Sequence, residues 1–114
     1  ADEWEGKGHM KVFCGTWNVN GKNPSVPLEE WLMPTYGSGV VDMYVLGLQE
    51  VQGLSGKNAL MTEDVKGRNW VQAIQRALRG YKLLVARQMV GVYLCVLVRD
   101  VVARKVTNVQ VAET

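Results

Sequence analysis

Two short stretches decide the reading: GTWNVNG at residues 15–21 and VLGLQEV at residues 45–51. Each is an apolar run that stops abruptly at polar groups, Asn18 and Asn20 after the first, Gln49 and Glu50 after the second. In a parallel or mixed sheet such runs are buried strands, and their carboxyl ends are where sites are built. Two strands of this kind would bring an amide and a carboxylate to one rim, the beginning of a metal-assisted phosphate site.

Working outward from these stretches, the spacing predicts a first strand over 11–17, followed by a turn-rich loop over 18–27. Pro27 and the acids Glu29 and Glu30 begin a short helix that Pro34 and the glycines at 37 and 39 terminate. The second strand is 40–48, nearly all apolar with Asp42 at its start, and both its faces are expected to be covered. Residues 52–67 have no clear period and are interrupted by Gly53, Gly56 and Gly67. They read as a loop with one helical turn near 59–61.

A helix is expected over 69–79, with Asn69 and Gln72 as a capping box and Gly80 as the left-handed stop. Trp70, Val71, Ile74, Ala77 and Leu78 share one face of it; Gln72, Gln75, Arg76 and Arg79 share the other. Three strands follow as a meander, over 82–88, 92–98 and 102–111. The fold class is therefore α/β, a mixed β-sheet with flanking helices. The expected third strand of the meander would leave an uncovered edge, which points to the front part of a larger domain.

The chain has 114 residues, the size of one domain. Apolar residues are 47% and charged residues 21%, which argues against disorder. A net charge of +2 is too small to imply nucleic acid or a membrane surface on electrostatic grounds. Cys14 and Cys95 both lie in apolar runs and read as buried thiols, which suits a reducing, cytoplasmic setting. The polar opening, residues 1–10, reads as a leader or tag-like segment; the domain proper is 11–114.

Taken singly, the polar residues are unremarkable: Glu50 is a carboxylate at a strand end, and most such groups are simply solvated. Asn18 and Asn20 would be turn residues, and Trp17 and Trp31 packing residues. The one histidine, His9, lies in the leader, which excludes a Ser-His-Asp hydrolase and a histidine-ligated zinc site within these residues. No glycine-rich loop of nucleotide-binding spacing occurs.

GTWNVNGK, VLGLQEV, the Trp70 helix and the QMVG segment at 88–91 follow one another in an order that resembles a known family. The chain is similar to the amino-terminal half of an inositol polyphosphate 5-phosphatase catalytic domain, within the wider endonuclease/exonuclease/phosphatase superfamily. The resemblance implies the amino-terminal half of a four-layer α/β/β/α sandwich and Mg²⁺-dependent hydrolysis of the 5-phosphate of phosphatidylinositol phosphates or inositol polyphosphates. It implies Glu50 as the Mg²⁺ carboxylate, Asn18 as the catalytic asparagine beside metal and scissile phosphate, and Gln49 as a residue helping to hold the rim. It further implies an inositol phosphate partner, no nucleic acid, and a cytoplasmic protein that meets membranes through regions not present here. Family segments of the GDxNYR and PxWCDR kind, and a late Ser-Asp-His, do not occur in residues 1–114, so these residues alone are expected to be inert. A superfamily nuclease and a non-catalytic interaction module are the alternatives.

Overall fold

In the computed structural model, which describes residues 9–25, 27–32, 40–51, 63–89 and 92–112, the two apolar runs lie side by side. β1 (Val12–Asn18) pairs in parallel with β2 (Met43–Gln49), from Val12 opposite Met43 to Asn18 opposite Gln49. A parallel pair needs a crossover in place of a tight turn, and this one carries α1 (Glu29–Leu32). After α2 (Glu63–Ala77), β3 (Tyr81–Met89) and β4 (Val92–Arg99) form an antiparallel hairpin. β4 pairs antiparallel with β2, giving the order β1-β2-β4-β3. Gln49 is opposite Val92 and Met89 is opposite Val92. The hairpin end and the carboxyl ends of β1 and β2 therefore share one rim.

Both helices cover the same face of the sheet. Alternation along β2 and β4 turns Tyr44, Leu46, Leu48, Tyr93, Cys95 and Leu97 into a core with Leu28 and Leu32 of the α1 segment and Trp70, Ile74 and Leu78 of the α2 segment. Trp70, Ile74 and Leu78 are buried while Gln72, Arg76 and Arg79 are exposed, as the helical stripe requires. Each such apolar side chain stabilises the fold by about 1.5–3 kcal/mol on burial. Gly80 ends the helix segment with φ +88°, the left-handed stop expected of it.

The far end of the sheet is pinned by Asp42, 8% exposed. Its carboxylate accepts the Lys11 backbone N–H at 2.9 Å and two bonds from the Arg99 guanidinium, Nε at 3.1 Å and Nη2 at 2.9 Å. These charge-assisted bonds tie the start of β1 and the end of β4 to the residue just before β2. Tyr81 adds its hydroxyl to the Val41 carbonyl at 2.6 Å.

Four expectations are corrected. The helix begins at Glu63, so residues 63–67 are helical instead of loop, and Asn69 is an interior residue whose side chain bonds Asn23 at 3.4 Å instead of capping. Gly67 misleads there because glycine usually punctuates; it is retained in the helix since a Cβ would strike the Tyr93 ring. The strand over 102–111 does not form. Asp100–Ala103 makes a short helix, α3, and Val109 and Val111 stay about half exposed, because β-branched residues without a partner strand gain nothing from extension. Cys14 is exposed rather than buried, and β2 is covered on one face only by the described residues. On the other face Val12, Cys14 and Thr16 are exposed, and Met43, Val45, Leu94 and Val96 are half-buried. The turn expected near 59–61, the ends of the QMVG hairpin turn at 90–91 and the leader over 1–8 lie outside the described residues.

Candidate functional site

Asn18 is the last residue of β1 and Glu50 the first after β2, and the parallel register brings them together. The Asn18 amide Nδ2–H donates to Glu50 Oε2 at 2.5 Å. Its other end, Oδ1, accepts the backbone N–H of Asn20 at 3.0 Å. The amide is thus oriented from both sides, with its N–H group held toward the carboxylate.

The backbone is shaped for this meeting. Asn20 and Glu50 both adopt left-handed conformations, φ 52° and 53°. Asparagine does so readily, but for glutamate it costs on the order of 1–2 kcal/mol. Two backbone bonds hold it: Gly21 N–H to the Glu50 carbonyl at 2.6 Å and Val19 N–H to the Gln49 carbonyl at 2.9 Å. Val51, fully buried, anchors the following residue. Strain of this kind, over-determined by its surroundings, clusters at functional sites.

Beside the pair lies an open cleft of about 210 Å³ lined by Trp17, Asn18, Val19, Asn20, Lys22, Asn23, Ser25 and Trp70. Trp17 and Trp70 meet edge to face beneath it, ring centroids 5.5 Å apart. The Trp70 indole N–H donates to the Lys22 carbonyl at 3.0 Å. Lys22, exposed and among the lining residues, is a residue that sequence reasoning passed over as part of a turn. Gln49 is exposed at the rim; its backbone carbonyl holds Val19.

The donors present are hard oxygens. Asn18 engages Oε2 of the Glu50 carboxylate, which leaves Oε1 outside that bond, and Asn18 Oδ1 keeps one lone pair after accepting from Asn20. Among the described residues no group of three or more His, Cys, Asp or Glu side chains comes together. One carboxylate, an amide oxygen and room for water suit Mg²⁺, which retains several waters and uses one or two carboxylates. They do not suit zinc, which wants closed nitrogen or sulfur sets.

The family model for "Endonuclease/Exonuclease/phosphatase family 2" matches residues 15–114. The chain belongs to that family. Among its relatives is the type I inositol polyphosphate 5-phosphatase 8 of Arabidopsis thaliana, 32% identical over 90% of this chain and 30% of that protein. Another is the inositol-1,4,5-trisphosphate 5-phosphatase 1 of Schizosaccharomyces pombe, 28% identical over 90% of this chain and 10% of that protein. The fold superposes on the crystallised inositol polyphosphate 5-phosphatase domain of a synaptojanin, in complex with inositol (1,4)-bisphosphate and a calcium ion. There the TM-score is 0.67 and the identity 31%, over 80% of this chain and 27% of that one. The chain thus spans less than a third of the length of each of these proteins. The expected fold class, a mixed sheet with flanking helices of this family's α/β type, is the one found.

Proposed function

We propose that residues 11–114 are the amino-terminal part of a phosphatase catalytic domain that removes the 5-phosphate from phosphatidylinositol phosphates or inositol polyphosphates with Mg²⁺. The observation that carries the reading is the Asn18–Glu50 pair, 2.5 Å apart at the shared rim of two parallel strands. The 5-phosphatase names of the relatives favour this substrate class over nucleic acid.

In this reading Glu50 would hold the ion through its carboxylate, and Asn18, donating Nδ2–H to that carboxylate, orients it. Bound Mg²⁺ supplies charge neutralisation on the phosphoryl oxygens. Lys22, which lines the cleft, is a cation within the same loop and would favour an anionic substrate there. Glu50 needs its neighbour because a carboxylate free to rotate would misplace the charge, and positioning is nearly all of phosphoryl-transfer catalysis. The described residues offer no histidine beside the pair and no second acid to orient water, so a chain of only these residues is inert. The protein works in the cytoplasm, reaching membranes through regions outside these residues.

The test is phosphate release from a phosphatidylinositol bisphosphate and from inositol trisphosphate, using the longer protein that contains this domain. Turnover that chelation abolishes, and that Glu50→Ala lowers by orders of magnitude with folding intact, supports the reading. Full activity in Glu50→Ala, or turnover by residues 1–114 alone, overturns it.

A further inference from the structure

We infer that Trp70 is a positioning residue for the Asn18–Glu50 pair, acting through the carbonyl of Lys22. The inference rests on the metal-site reading for its purpose, but the geometry stands without it. Trp70 is 2% exposed, and a buried indole N–H needs an acceptor. It takes one 48 residues away in sequence, the Lys22 carbonyl at 3.0 Å, in the loop that leaves β1.

That loop is a closed relay. Lys22 N–H bonds the Val19 carbonyl at 3.0 Å, making a tight turn of residues 19–22. Inside the turn, the Asn20 N–H is aimed at Asn18 Oδ1, and Gly21 N–H at the Glu50 carbonyl. The root of the turn is fixed by β1. Its outer end is tied to α2 by Trp70 and by the longer Asn69–Asn23 bond at 3.4 Å. The Asn20 N–H decides which end of the Asn18 amide faces Glu50. If the amide were reversed, an N–H would meet an N–H at Asn20 and the amide oxygen would meet a carboxylate at Glu50. A turn set free at Lys22 lets the Asn20 N–H drift, and with it the choice that keeps Asn18 donating to Glu50. Helix α2 thereby acts on the rim through the loop that leaves β1.

The variant that isolates the hydrogen bond replaces Trp70 by its benzothienyl isostere, which keeps the ring and removes the N–H; Trp70→Phe is the genetic counterpart. Trp31→Phe is the control. Trp31 packs edge to face on Trp17 at 5.4 Å, much as Trp70 does at 5.5 Å, but no bond from its indole to the turn is seen. The readouts are the Asn18 side-chain amide signal by NMR and Mg²⁺ affinity by calorimetry, with circular dichroism confirming the fold. We expect both Trp70 variants to move the Asn18 signal toward that of a free amide and to weaken Mg²⁺ about tenfold or more, the usual effect of losing a ligand's outer support. Trp31→Phe should leave both unchanged. An Asn18 signal unmoved by the isostere, or moved equally by Trp31→Phe, overturns the inference. If the signal moves as expected while the unaltered chain binds no Mg²⁺, the positioning role holds and the metal reading fails.

Discussion

Gly67→Ala sets two effects of opposite sign against each other. Glycine inside a helix costs about 1 kcal/mol relative to alanine, so on an open helix surface this substitution would stabilise the protein by that amount. At Gly67 the added Cβ would lie 2.3 Å from Tyr93 Cε2 and 2.6 Å from Cδ2. Carbon atoms pack at about 3.5–4.0 Å, so either α2 lifts from the sheet by more than an ångström or the ring leaves its place. Tyr93 is only 8% exposed, between β2 and β3 on the helix-covered face, and has little room to yield. Overpacking costs about 1–3 kcal/mol, and an overlap this deep belongs at the upper end. The net is a loss of about 2 kcal/mol, a fall in Tm of roughly 10 °C for a domain of this size. Urea unfolding followed by circular dichroism measures it. The same substitution in a Tyr93→Leu background should be neutral or stabilising, since the obstructing ring is gone. If Gly67→Ala stabilises the unaltered protein by about 1 kcal/mol, the helix does not approach the sheet as described.

Ile74→Ala should cost roughly 2–5 kcal/mol, because a side chain 1% exposed leaves a cavity on truncation; a loss near the surface value of half a kilocalorie in urea unfolding would mean α2 is not docked. At mildly alkaline pH Cys14 should react promptly with a disulfide reagent. Cys95, buried and with its thiol pushed up to about 12, should stay silent until the chain unfolds. Burial, then the neighbouring Tyr81, raise the Tyr44 phenol from 10.0 to about 12, and its hydroxyl donates to the Leu32 carbonyl at 2.6 Å. The fold favours the protonated phenol. That stability is complete below pH 10.0 and is lost as the pH rises through about 12. Urea midpoints measured across that range should fall less steeply in Tyr44→Phe.

How much of this was legible in the sequence depends on the range of the forces involved. β1, β2 and the Trp70 stripe could be read because burial imprints a period on a single segment. The meeting of Asn18 and Glu50 followed from two strands sharing a direction. The start of α2 could not be read, since Gly67 is excused from its usual meaning only by a ring on β4, a contact across 26 residues that no local window contains. The failed strand after Arg99 has the same cause in reverse: Val102, Val106, Val109 and Val111 have strand propensity, but a strand exists only when another pairs with it. Cys14 looked buried because its neighbours are apolar, yet alternation placed it on the face that the described helices leave open. At the rim, Asn18 and Glu50 could be picked out from the sequence and the groups that hold them could not. The Trp70 bond to Lys22 and the inward turn of Asp42 toward Arg99 depend on tertiary placement alone.

The most direct test of the rim as a cation site is Mn²⁺ titration of the isotope-labelled protein, with and without Glu50→Ala. A paramagnetic ion held by Glu50 should selectively broaden the signals of Asn18, Asn20, Glu50 and Val51 at low Mn²⁺, and Glu50→Ala should abolish that pattern while the remaining spectrum stays that of the folded chain. Broadening centred elsewhere, or the same broadening in Glu50→Ala, would contradict the assignment of this pair as the metal corner.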